Sequence, residues 1–224
     1  MNRTDFRHLA LQAAIVDLDG TMVDTVGDFE AALGRMLADL GRAPVGRDFI
    51  AVTVGKGSEY LIRRALQQAG ASASDYERAW ERYQHHYAQI NGLHSAVFAG
   101  VLEGLQRLRA RGLRLACLTN KPTAPARALL AAKGLAPFFE QVFGGDAFAR
   151  KKPDPLPLLE TCKALGSAPA ATLMIGDSSN DAAAARAAGC PVALVSYGYN
   201  HGEPVAGVGA DAVIDRLDEL DRLL

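Results

Sequence analysis

The chain has 224 residues, 49% of them hydrophobic and 22% charged, proportions that allow one large core, or one core with a smaller insert. Lys plus Arg number 24 against 25 Asp plus Glu, without any basic run, which argues against a nucleic-acid partner. No stretch approaches the roughly 18 consecutive apolar residues of a membrane span, and MNRTDFRHLALQAAIVDLDG lacks an apolar segment followed by a small-residue cleavage site, so no membrane partner and a cytoplasmic location are expected.

In chain order, the first element is the apolar run AAIV, which ends at Asp17 and reads as a buried strand. From about Gly27 to about Ser95 only helical patterns follow: DFEAALGRMLADLG, EYLIRRALQQAG and DYERAWERYQHHYAQI, with no strand between them. Apolar runs then return as LRLACL before Thr119, QVFGG, ATLMI before Gly176, PVALV before Ser196, and DAVI. Between them lie the Ala- and Leu-rich stretches VLEGLQRLRARG, APARALLAAKG and NDAAAARAAG, each closed by a Gly suited to a helix C-cap. This alternation predicts an α/β fold: a Rossmann-like, mostly parallel sheet core from residues 1–24 and 97–224, with an all-helical domain, residues 25–96, inserted after the first strand. Cys117, Cys162 and Cys190 are odd in number, widely spaced and in apolar surroundings, and read as reduced core thiols.

Ligands of open parallel sheets bind beyond the carboxyl ends of the strands. Those ends carry Asp17, Asp19, Gly20 and Thr21; Thr119, Asn120, Lys121 and Pro122; Lys151, Lys152 and Pro153; and Gly176 through Asp181. Asp17 and Asp19 crowd one another, and like charges so close raise each other's pKa unless a cation or hydrogen-bond donors offset the repulsion. Asp17, Asp19 and Asp177 offer the hard oxygen ligands that Mg²⁺ prefers. Thr119, Asn120 and Lys152, with the N–H groups of the Asp19–Gly20 turn, suit the oxygens of a phosphoryl group. One carboxylate aimed at phosphorus can attack it, and a second, two residues on, can move the proton of the leaving oxygen.

Each element has an ordinary reading as well. Asp-Gly is a turn signal, Thr-Asn a turn or cap, the lysine-proline stretch a solvated loop, and GDSSND a helix N-cap. Four of them directly after strands, in one order, are what turn statistics alone do not supply. GKGS at 55–58 is no phosphate-binding P-loop, because Ile50 and Gly57 stand where that motif needs a Gly and a Ser or Thr. His85 and His86 read as solvent-exposed, and His8, His94 and His201 as surface or structural residues.

DLDGT at 17–21, TN at 119–120, KP at 152–153 and GDSSND at 176–181 resemble the four motifs of the haloacid dehalogenase superfamily, over nearly the whole chain. Within it, the Thr119-Asn120-Lys121-Pro122 run, the GKG of the insert and the late SYGYNHGEP resemble phosphoglycolate phosphatases. The resemblance implies that Asp17 is the nucleophile, Asp19 the general acid and base whose backbone carbonyl also binds Mg²⁺, and Asp177 the third ligand. It implies further that Asp181 orients the metal shell, that Thr119 and Lys152 bind phosphate with Asn120 helping to position it, and that the insert is a mobile cap. Ala99-Gly100 stands where the family usually has Pro-Gly. Asp19 argues against carbon–halogen cleavage, since a halide needs no proton.

The expected activity is Mg²⁺-dependent hydrolysis of a small phosphorylated metabolite, 2-phosphoglycolate first, through an aspartyl-phosphate, in a monomer or homodimer. Lys56, between two glycines of the insert, is the candidate for a substrate carboxylate. The rivals are a sugar-phosphate phosphatase or hexose-phosphate mutase of the same superfamily, and a phospho-acceptor signalling module. Asp24 is the candidate cap of the first insert helix.

Overall fold

The computed structural model describes residues 5–224; residues 1–4, part of the stretch read for an export signal, lie outside the described residues. β1 (Ala13–Val16) is fully buried, as a strand covered on both faces must be. A two-residue β2 (Val23–Asp24) leads into four helices, α1 (Val26–Asp39), α2 (Arg47–Thr53), α3 (Ser58–Gln68) and α4 (Tyr76–Ile90), after which β3 (Ala96–Val97) returns the chain. Then follow α5 (Val101–Ala110), β4 (Arg114–Leu118), α6 (Thr123–Ala132), β5 (Gln141–Phe143), α7 (Leu156–Ala164), β6 (Thr172–Gly176), α8 (Ser179–Ala188), β7 (Val192–Val195) and β8 (Ala212–Ile214).

Six strands form one sheet in the order β5-β4-β1-β6-β7-β8, every pairing parallel. Ile15 lies opposite Ala116 on one side and Met174 on the other. Strand side chains alternate between faces, so β1 feeds two cores. Ala14 and Val16 join Leu105 and Leu129 on the α5 and α6 side. Ala13 and Ile15 join Leu158 and Ala185 on the α7 and α8 side.

Helices α1 to α4 pack about a third apolar cluster of their own, with Leu33, Met36, Ile50, Ile62, Tyr83 and Ile90 at its centre. In α1 the buried residues Val26, Phe29, Leu33, Met36 and Leu37 recur at helical spacing along one face. β2 and β3 pair antiparallel, Val23 with Val97 and Asp24 with Ala96, so the two chain crossings between sheet and helices run side by side. The short α2 and this ribbon are additions to the sequence reading. The three cysteines are free and buried. Among the described residues no helix is long and apolar enough to cross a membrane.

Because β4, β1 and β6 are neighbours, their carboxyl ends bring Thr119, Asp17 and Asp177 to one edge of the sheet, where the strand order departs to both sides of β1.

Candidate active site

The chain turns sharply after Asp19, with the Gly20 amide donating to the Val23 carbonyl at 2.9 Å. Gly20 sits at φ +85°, and a Cβ there would strike the Asp177 carboxylate and the Tyr199 ring, so the turn demands glycine. Thr21 Oγ1 donates to Asp177 Oδ1 at 3.1 Å, and the Tyr199 amide donates to Asp177 Oδ2 at 2.7 Å. α8 starts immediately after β6. Its Asp181 Oδ2 accepts from the Ser178 hydroxyl at 2.8 Å and the Ser178 amide at 3.1 Å, closing the helix start. The helix-cap reading of GDSSND and the chemical one thus fall on the same few residues.

Lys152 joins the groups. Its ammonium lies 2.9 Å from Asp17 Oδ1 and 2.7 Å from Asp181 Oδ1, and donates to the Leu118 carbonyl at 2.9 Å. Burial works to lower its pKa but is outweighed by Asp17 and Asp181, so Lys152 stays firmly protonated. Asp17 is pushed up to about 7, chiefly by burial, which the nearby Lys152 only partly offsets while Asp181 and Asp19 add to it. Asp177 is likewise held well above the ordinary carboxylate range, by burial and then by Asp181 and Asp17.

These shifts mark a site short of positive charge. Asp17, Asp19, Asp177 and Asp181 are all buried, against the buried ammonium groups of Lys121 and Lys152, an excess of two negative charges once every carboxyl is ionised. Asp17, Asp177 and Asp181 each offer an oxygen within 4.8 Å of the others. Asp17 Oδ1 is buried and, despite its closeness to Lys152, accepts no well-directed hydrogen bond. An all-oxygen donor set with that excess charge fits a hard divalent cation.

The sequence reading sets Asp17, Asp19 and Asp177 around the cation with Asp181 behind them. The converging carboxylates are instead those of Asp17, Asp177 and Asp181, because the Asp19 side chain is drawn to Lys121, 3.0 Å from its Oδ1. A ligand role for Asp19 therefore falls to its backbone carbonyl, as the resemblance implies. Asp181 is buried and both its oxygens already meet donors, Lys152 on one and Ser178 on the other.

Thr119 is buried at the end of β4 and lines the pocket. Asn120 is spent on structure: its Nδ2 donates to the Lys152 carbonyl at 2.8 Å and the Gly55 carbonyl at 2.9 Å, and its Oδ1 accepts from the Lys152 amide at 3.0 Å. It positions Lys152 and ties the sheet to the helical insert. From the insert, Phe29, Val54, Gly55, Gly57, Ser58 and Leu61 close over the carboxylates. The space left is about 30 Å³, room for a water or two. Lys56 is not brought into this space. It is exposed, its ammonium 5.2 Å over the Tyr60 ring, while its glycine neighbours line the pocket.

Two site residues escape the sequence reading. Lys121, though in a quoted motif, is given no role there; it is buried between Asp19 and the insert. Tyr199 holds Asp177 with its amide while its hydroxyl donates to Asp24 Oδ1 at 2.8 Å and accepts from the Thr25 amide at 2.8 Å, linking the carboxylate cluster to the start of α1. Asp24 also accepts from the Val26 amide at 3.3 Å, near the capping part expected of it. His85 is exposed, but His86 is not a free surface residue: its Nε2 lies 2.7 Å from Asp39 Oδ2.

The family model of haloacid dehalogenase-like hydrolases matches residues 11–189. The chain is 44% identical over 214 residues to a phosphoglycolate phosphatase of Thiobacillus denitrificans, covering 94% of each chain. It is 46% identical over 217 residues to a plasmid phosphoglycolate phosphatase of Cupriavidus necator, covering 96% of this chain and 94% of that one. Among solved structures, a predicted phosphoglycolate phosphatase from Haemophilus somnus superposes with a TM-score of 0.91 at 29% identity, over 96% of this chain and 99% of the other.

Proposed function

The chain belongs to the haloacid dehalogenase-like hydrolases, and on that premise we propose that it hydrolyses 2-phosphoglycolate to glycolate and phosphate, through an aspartyl-phosphate on Asp17 and with Mg²⁺ as cofactor. The observation that carries this reading is Asp17 Oδ1, buried, without a well-directed hydrogen bond, and facing Lys152 and the carboxylates of Asp177 and Asp181. A carboxylate held so has a lone pair free for phosphorus.

In the first half-reaction the Asp17 oxygen bonds to phosphorus as the ester P–O bond breaks, and Asp19 gives its proton to the leaving glycolate oxygen. In the second, Asp19 takes a proton from water as that water attacks phosphorus, releasing phosphate and restoring Asp17. Lys152 favours the anionic form of Asp17 and, with Thr119, meets the phosphoryl oxygens. Asp17 and Asp177, with the Asp19 carbonyl, would hold Mg²⁺, and Asp181 would orient that shell. The bound ion supplies neutralisation of the phosphoryl charge.

The insert of residues 25–96 acts as a cap. With only about 30 Å³ beneath it, substrate enters after it lifts, and closure then excludes water from the developing charges. The tight apolar closure by Phe29, Val54 and Leu61 supports a small leaving group over a hexose phosphate.

The test is a panel of small phosphomonoesters assayed for phosphate release with Mg²⁺ and with a chelator. The expected result is preferential, metal-dependent release from 2-phosphoglycolate. Metal-independent release, or faster release from hexose phosphates, would overturn this reading.

A further inference from the structure

Lys121, at the end of β4, is only 4% exposed. Its ammonium lies 3.0 Å from Asp19 Oδ1 and 3.4 Å from Oδ2, and 4.6 Å and 4.9 Å from the ring centroids of Phe29 and Tyr87. The two rings stack on one another at 5.6 Å, and Tyr87 stacks on Tyr83 at 5.3 Å. A desolvated cation is therefore gripped between a carboxylate of the sheet edge and ring faces of the helical insert. Ring faces attract the charge without accepting a conventional hydrogen bond. Among the described residues, Asp19 supplies the only hydrogen-bond acceptors shown for an ammonium that carries three N–H donors.

We propose that Lys121 is the residue that selects substrates bearing a second negative charge, by binding a carboxylate on the carbon next to the leaving oxygen. This rests on the reading that Asp19 protonates that oxygen. The acid touching the leaving oxygen is itself 3.0 Å from the Lys121 ammonium, so atoms one or two bonds beyond that oxygen fall against Lys121. Lys152 is instead engaged with Asp17 and Asp181. The two buried lysines thus divide the substrate: Lys152 meets the phosphoryl group and Lys121 reads what is attached to it.

The neighbouring wall agrees with a short anionic group. Phe29, Val54 and Leu61 accept a methylene. Gly57 and Ser58 line the same space, and α3 begins there without a side-chain cap, its first amides left for an anion. A neutral hydroxyl in place of the carboxylate gives the ammonium a weaker partner.

Steady-state kinetics on 2-phosphoglycolate and on 2-hydroxyethyl phosphate, in which CH₂OH replaces the carboxylate, test this with the wild type, Lys121→Met and Lys121→Arg. A charge-assisted hydrogen bond corresponds to roughly a 10- to 100-fold preference for phosphoglycolate in kcat/KM. Lys121→Met should lose that preference, mainly through KM on phosphoglycolate, and Lys121→Arg should keep most of it. Equal losses of Lys121→Met on both esters would overturn the proposal, while turnover by the wild type would leave the phosphatase reading standing. In the unsubstituted protein, glycolate should inhibit at least about tenfold more tightly than ethylene glycol; equal inhibition overturns the proposal without recourse to a variant.

Discussion

Replacing Lys152 with methionine keeps the length of the side chain and removes its charge. Lys152 is 5% exposed and meets Asp17 at 2.9 Å, Asp181 at 2.7 Å and the Leu118 carbonyl at 2.9 Å. Without it, four buried carboxylates face the single ammonium of Lys121. Removing one partner of a buried ion pair costs about 3–5 kcal/mol when the other stays charged. The pH dependence has a definite sign. Asp17 lies at about 7 in the fold against an ordinary 3.8, so the folded state binds its proton more tightly than the unfolded chain. Ionising it drains stability as pH rises from about 4 to about 7, by at most about 4 kcal/mol at 1.36 kcal/mol per unit. Lys152 works against that rise, so its loss moves Asp17 higher and carries the drain to higher pH. Urea unfolding in chelator should therefore show Lys152→Met destabilised by about 3–5 kcal/mol near pH 8.5 and by clearly less near pH 5. An equal loss at both pH values, or none at either, would refute this electrostatic reasoning.

Asp19→Asn keeps the shape but cannot transfer a proton. Turnover of 2-phosphoglycolate should fall by about 10²–10⁴-fold, whereas p-nitrophenyl phosphate, whose leaving group needs no proton, should give a stoichiometric burst of nitrophenolate and then stall on the acyl phosphate. Undiminished steady turnover of both esters would count against Asp19 as acid and base. Gly20→Ala forces a side chain at φ +85° into the Asp177 carboxylate and the Tyr199 ring. It should cost about 1–3 kcal/mol and weaken the rise of Tm on adding Mg²⁺; an unchanged Tm and an unchanged response to Mg²⁺ would contradict the placement of Asp177.

The sheet was legible because parallel strands buried on both faces read as short apolar runs, and these runs end at a polar residue or a glycine. AAIV before Asp17 and ATLMI before Gly176 are strands β1 and β6, adjacent in the sheet. Once strands are placed, the chemistry at their ends follows from the rule for parallel sheets, and Asp17, Thr119, Lys152 and Asp177 do line one edge. α2 escaped because its 7 residues, between Gly46 and Val54, span too few turns for a periodic face to stand out. β2 and β3, two residues each, carry no pattern at all. Lys121 escaped for another reason: a lysine beside Asn120 and Pro122 reads as a solvated loop residue, and its burial depends on Phe29 and Tyr87 arriving from distant helices. The direction of the Asp19 side chain escaped for the same reason, since it is set by Lys121, far off in the chain. Lys56 shows the converse, a loop correctly placed over the site whose charged side chain points to Tyr60 and solvent.

Rapid acid quench of the protein mixed with Mg²⁺ and radiolabelled 2-phosphoglycolate asks directly whether Asp17 carries the phosphoryl group. The expected result is protein-bound label on the peptide holding Asp17, stable to acid, released by hydroxylamine as an acyl phosphate must be, and missing in Asp17→Asn. Phosphate release without labelled protein, or label that persists in Asp17→Asn, would contradict the covalent mechanism at its centre.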